Sequence, residues 1–113
     1  MAISELYFQS SHQTTPLDPQ ELDSLMNELP HWEIQRLSVT CLGREYKCAD
    51  FISAMALAER ITELAEHYDH HPELTIRWGM LGIKWWTHTA NGITGNDVFL
   101  AHQCELLNQN DTD

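Results

Sequence analysis

The spacing of apolar side chains switches between a helical and a strand period along this chain. Leu22, Leu25, Met26 and Leu29 recur at three- and four-residue intervals. Asp18 followed by Pro19 has the make-up of an N-cap with proline at the first helical position, so a short helix is expected to run up to Pro30. Trp32 to Leu37 and Val39 to Lys47 predict two strands that turn at Ser38, with Gly43 a candidate bulge in the second. The strongest helical signal spans Asp50 to Tyr68: Asp50 can cap it, and Phe51, Met55, Ala58, Ile61, Ala65 and Tyr68 form a stripe suited to packing on a sheet. Glu59, Arg60, Glu63 and Glu66 lie off that stripe. After Pro72 the period returns to two through Leu74, Ile76 and Trp78, a turn at Gly79-Met80, and then Leu81, Ile83 and Trp85. Asn91-Gly92 marks a loop, and Thr94 can cap a last helix ending at Leu107.

The order helix-β-β-helix-β-β-helix predicts an α+β, two-layer fold: a four-stranded antiparallel sheet covered on one face by helices. Residues 15–113 are expected to form this single domain. Residues 1–14 are set aside as a disordered tail or the remnant of a purification tag, because Glu5-Leu6-Tyr7-Phe8-Gln9-Ser10 resembles a viral-protease recognition sequence lacking one residue.

Composition narrows the functions available. The 113 residues carry 17 Asp and Glu against 6 Lys and Arg, a formal charge of −11. Six scattered bases cannot build the basic face that a nucleic acid or an anionic membrane would require. The acids of the first helix, the long helix and the Asp111-Thr112-Asp113 tail read as solvated surface. Cys41, Cys48 and Cys104 are odd in number and contain no CxxC pair, so burial in a reducing cytoplasm is their expected role. The longest apolar stretch, Ile52 to Ala58, is too short to span a bilayer, and the N-terminus lacks a secretion signal.

The chemistry gathers in the histidines. Of seven, His67, His70, His71 and His88 fall in one region. Pro72 disfavours helical geometry at His71, so adjacent imidazoles are displayed where the long helix gives way to a strand. Glu66 lies four residues before His70, within reach of orienting that ring if the helix continues. His88 is expected to close the last strand on the same face as Trp86. Histidine can give and take a proton near neutral pH, so two or three imidazoles suit general acid–base chemistry on a small molecule. Surface or capping histidines are the plainer reading. A metal site through His67 and His71 lacks a supporting ligand pattern, and no metal is expected.

Glu66-x-x-x-His70-His71-Pro72, Trp78, Thr87-His88 and Asp97 together resemble the signature of the pterin-4a-carbinolamine dehydratases, and Trp32, Asp50-Phe51 and Leu100-Ala101 extend the likeness over residues 17–107. The resemblance implies a cytoplasmic hydro-lyase without metal or organic cofactor that converts 4a-hydroxytetrahydrobiopterin to quinonoid dihydrobiopterin and so recycles tetrahydrobiopterin. It implies His70, His71 and His88 as catalytic. His70 and His88 would be the acid–base pair, in an order left open, and His71 would hold the pterin. Glu66 would orient His70, and Asp97 would support His88 or the pocket. Asp69, Trp32, Trp86, Thr87 and Thr89 are the implied substrate contacts, although Trp32 reads equally well as a core aromatic. Trp78 and Trp85 are expected in the core. His31 replaces a common glycine, and Trp85-Trp86 is bulkier than usual, which bears on pocket shape. The family's homodimers and homotetramers, together with apolar helix faces, imply self-association. A non-catalytic protein-interaction module, of the transcription-factor dimerisation type known in animal members, is the alternative.

Overall fold

The computed structural model describes residues 2–10 and 13–110. Helix α1, Pro19–Met26, starts where the Asp18 carboxylate accepts the Gln20 N–H at 3.1 Å, and it buries Leu22 and Leu25. Strands β1 (Glu33–Arg36) and β2 (Thr40–Lys47) form an antiparallel hairpin. The bulge expected at Gly43 does not form, because Gly43 pairs regularly with Glu33 on one side and with Lys84 on the other. Helix α2, Phe51–Tyr68, is capped by the Asp50 carboxylate, which accepts the Ser53 N–H at 2.8 Å.

The buried face of α2 consists of Ala54, Leu57, Ala58, Ile61 and Ala65, rotated from the expected stripe. Phe51 and Met55 are 47% and 46% exposed. Small alanines let the helix approach the sheet closely, and the larger apolar residues are left on its outer side. There Ile52 and Met55 adjoin Leu74 and Ile76.

Strands β3 (Glu73–Arg77) and β4 (Met80–Trp85) pair antiparallel and complete a sheet of order β1-β2-β4-β3. Their turn falls at Trp78-Gly79, one residue earlier than expected, because Gly79 takes φ +76°, which favours glycine. Trp78 therefore stands at the hairpin tip, 73% exposed, and is not a core residue. Leu42, Tyr46, Leu81, Ile83 and Trp85 join α2 and helix α3 (Gly95–Asn110) in one core. Cys41 and Cys104 are buried, and all three cysteines are free.

Residues 2–10 differ from the expectation that set them aside. Ile3 is only 3% exposed within the core cluster, and its N–H donates to Glu28 Oε2 at 3.0 Å. Burying such a side chain stabilises by roughly 1.5–3 kcal/mol, one of several contacts that hold the segment. The Asp111–Asp113 tail, whose acids were expected to be solvated, lies outside the described residues. Among those residues no helix is long and apolar enough to cross a membrane.

Candidate active site

The site begins where α2 ends. Asp69 adopts the left-handed conformation (φ 51°, ψ 46°), and the His70 N–H returns to the Ala65 carbonyl at 3.1 Å, closing the helix. The reversal sends the next two side chains different ways. His70 turns inward: its Nε2 lies 2.7 Å from Asp97 Oδ1, and its ring stacks on Trp85 at 5.7 Å and 10°. His71 turns outward, with Nε2 2.5 Å from Glu66 Oε2 and both side chains more than half exposed. Glu66 therefore orients His71 and not His70. Counting one helical turn from Glu66 fails because Asp69 has already left the helix.

Asp97 is fully buried in the first turn of α3. Its Oδ2 accepts the Thr87 hydroxyl at 2.7 Å and the Thr94 N–H at 2.9 Å, while Oδ1 faces His70. A buried carboxylate without such donors would be costly, and the N-terminal end of the helix dipole adds to its support. An ionised carboxylate only accepts, so the His70 proton is assigned to Nε2 and Nδ1 is left as the acceptor nitrogen. Asp97 thus serves His70 rather than His88.

His88 does not close a strand. β4 ends at Trp85, Thr87 bridges to Gly92, and His88 opens a 3₁₀ turn through Ala90, which removes it from strand phase. Its ring tilts against Trp86 at 5.3 Å. A cavity of about 540 Å³ nevertheless brings Asp69, His70 and His71 together with Trp86, Thr87, His88 and Thr89. That volume is in the range of small-molecule sites, roughly 300–1,000 Å³.

Trp32 is not in this cavity. It is 4% exposed and packs edge-on against Tyr46, so its core reading stands. His67 packs edge-on against Tyr68 and does not line the cavity. The sequence reading missed Phe8, Gln9, Ser10, Gln13, Tyr68 and Asn96, which complete the lining. Phe8 belonged to the excluded segment, where the Tyr7-Phe8 aromatic pair in a polar stretch was the available signal. Among the described residues no group of three or more His, Cys, Asp and Glu is placed to hold a metal ion.

A second carboxylate cluster lies farther along α3. Glu105 accepts from both Arg44 and the Tyr46 hydroxyl, and the Arg44 guanidinium sits 3.9 Å over the Tyr46 ring. Burial, followed by the Glu105 hydrogen bond, holds the Tyr46 hydroxyl well above the usual tyrosine range. Burial also pushes the adjacent Cys104 thiol up to about 12.

Residues 15–107 match the family described as pterin 4 alpha carbinolamine dehydratase. The chain belongs to that family. It is 41% identical over 88 residues to a protein of Chlorobium limicola, covering 77% of this chain and 78% of that one. It is 40% identical over 91 residues to a protein of Rickettsia canadensis, covering 80% and 82%. Both relatives bear the name "putative pterin-4-alpha-carbinolamine dehydratase". A solved structure from Brucella melitensis, described as a transcriptional coactivator/pterin dehydratase, superposes with a TM-score of 0.76 at 25% identity, covering 82% of this chain and 98% of that one. The α+β dehydratase fold is thus shared, and within this family member the histidine cavity is the site to be explained.

Proposed function

We propose that this protein dehydrates 4a-hydroxytetrahydrobiopterin to quinonoid dihydrobiopterin in the cytoplasm, recycling tetrahydrobiopterin by histidine acid–base catalysis. The observation that carries the reading is the meeting of His70, His71 and His88 around one cavity, with His70 held by a buried carboxylate. In the reaction the C4a–O bond breaks, the hydroxyl leaves as water after gaining a proton, and N5 loses its proton as the N5=C4a double bond forms. No electrons are exchanged with a third species. His70, its Nε2–H fixed on Asp97, takes the N5 proton through Nδ1. His88, exposed beside Trp86, protonates the leaving hydroxyl and is recharged from solvent. His71, paired with Glu66 at the rim, holds the pterin. Asp69 and Thr89 are further contacts, and the Trp86 ring flanks the flat bicycle.

The test is the absorbance decay of freshly generated 4a-hydroxytetrahydropterin. General acid–base groups contribute about 10²–10⁴-fold, so His70→Ala and His88→Ala should each slow the enzyme-dependent decay by that order. Unchanged rates in both variants, or no acceleration by the wild type, would reject the mechanism.

The apolar outer surface formed by Ile52, Met55, Leu74 and Ile76 supports assembly as a homodimer or homotetramer. The coactivator description of the Brucella neighbour favours, as a second reading, a protein-interaction role on the same scaffold. Stoichiometric capture of a foreign partner by a protein without dehydratase activity would select that reading.

A further inference from the structure

Residues 2–10 precede the part of the chain that matches the family, which begins at residue 15. They nonetheless reach the cavity, tied down at both ends of their course. At one end Ile3 is buried and its N–H is bonded to Glu28. At the other, Asn96 reads Gln9 as a neighbouring strand would: its Oδ1 accepts the Gln9 N–H at 2.9 Å and its Nδ2 donates to the Gln9 carbonyl at 3.0 Å. Asn96 is 5% exposed, and its two bonds satisfy a side chain that would otherwise be costly to bury.

Between these anchors Phe8 lies 4.9 Å from Tyr68, 6.2 Å from Phe99 and, edge-on, 6.0 Å from His70. Asn96 adjoins Asp97, so one turn of α3 fixes both the inner histidine and the segment opposite it. Lower on that side, the Thr89 hydroxyl donates to the Gln13 carbonyl.

We infer that the N-terminal segment is a specificity strap, in which Phe8 supplies an aromatic wall against the substrate ring and Asn96 holds that wall in place. Phe8 is a binding residue for a flat heteroaromatic ligand, and Asn96 is a positioning residue acting through Gln9. The inference rests on the dehydratase reading for the identity of the ligand, but not for the existence of the wall.

The experiment uses the full chain with Phe8→Ala, Phe8→Tyr, Phe8→Leu and Asn96→Ala, each first shown to melt cooperatively. Steady-state dehydration is measured alongside fluorescence titration with 7,8-dihydrobiopterin, a ligand that carries no 4a-hydroxyl to lose. Loss of the wall should raise KM and the dihydrobiopterin Kd about tenfold, or about 1.4 kcal/mol, for Phe8→Ala and Asn96→Ala. kcat should change less than threefold. Phe8→Tyr should restore binding and Phe8→Leu should not. The double variant should be no weaker than either single variant, because both remove the same wall. Unchanged KM and Kd in Phe8→Ala and Asn96→Ala would overturn the strap and leave the dehydratase reading intact. A wild type that binds dihydrobiopterin through Phe8 yet dehydrates nothing would support the strap and overturn the reaction.

Discussion

Helix α3 carries two carboxylates whose surroundings contrast. Asp97 near its start is fully buried and divided between a titratable imidazole and fixed neutral donors, Thr87 and Thr94. Glu105 farther along is pinned by the permanent cation Arg44 and by the Tyr46 hydroxyl. Arg44 cannot give up its proton, and burial with the Glu105 hydrogen bond keeps the Tyr46 hydroxyl protonated far above neutral pH, so the Glu105 cluster has nothing to exchange there. His70 can, and its ring borders a cavity. Burial of a carboxylate alone therefore says little about function; the partner's capacity to titrate, and access to a ligand, make the difference.

That contrast is open to direct attack. Asp97→Asn should have the largest effect: kcat/KM of the proposed dehydration should fall about 100-fold as His70 loses its fixed orientation and tautomer. The folded state should also lose roughly 1.5–3 kcal/mol in urea unfolding, the worth of a hydrogen bond to a charged group. Glu105→Gln should cost a similar amount of stability while leaving kcat/KM within about twofold. Equal losses of activity in the two variants would erase the distinction between the clusters.

The next effect concerns pH. Cys104 ordinarily titrates near 9.0 and is held up to about 12 by burial, and Tyr46 is also raised. Above the unfolded value the folded state retains protons that the unfolded chain has released, so stability must fall as pH rises from 9.0 towards 12. The unfolding free energy from urea titration should decline over that range by up to about 1.4 kcal/mol per pH unit for each such proton. Cys104→Ala should reduce the slope and leave the part due to Tyr46 and the other raised thiols, whereas Asp97→Asn should leave it unchanged.

Smallest of all, Glu66→Gln should lower stability by less than about 1 kcal/mol, since its bond to His71 is exposed and screened by salt. A large loss of stability there would mean that the outer histidine is held as firmly as the inner one.

Much of the architecture was legible because it depends on local signals. The caps Asp18 and Asp50 and the alternation of Leu81, Ile83 and Trp85 stand directly in the sequence. The errors arose where tertiary contacts overrode periodicity. The sheet chose the alanine face of α2 over the face bearing Phe51 and Met55. Gly79 set the hairpin turn and left Trp78 in solvent. α3 buries Val98, Leu100, Ala101 and Cys104 on more than one side, because the N-terminal segment covers flank that the sheet does not, so no single apolar stripe marks its packing. Within the site, His70, His71 and His88 could be gathered from sequence, but their carboxylates could not be assigned. One left-handed residue, Asp69, exchanged the partners that regular helical counting would give. Phe8 and Asn96 were invisible for a different reason: 87 residues separate the backbone of Gln9 from the side chain that holds it.

The same separation has a kinetic meaning. During synthesis Gln9 is made long before Asn96, and His70 is made 27 residues before Asp97, so neither contact can form until the start of α3 has been made. Contacts between residues so far apart in sequence close slowly, because the intervening chain must first be ordered. The cavity is therefore expected to form after the local elements, and pterin binding followed during refolding, lagging behind the recovery of helical signal, would check that order.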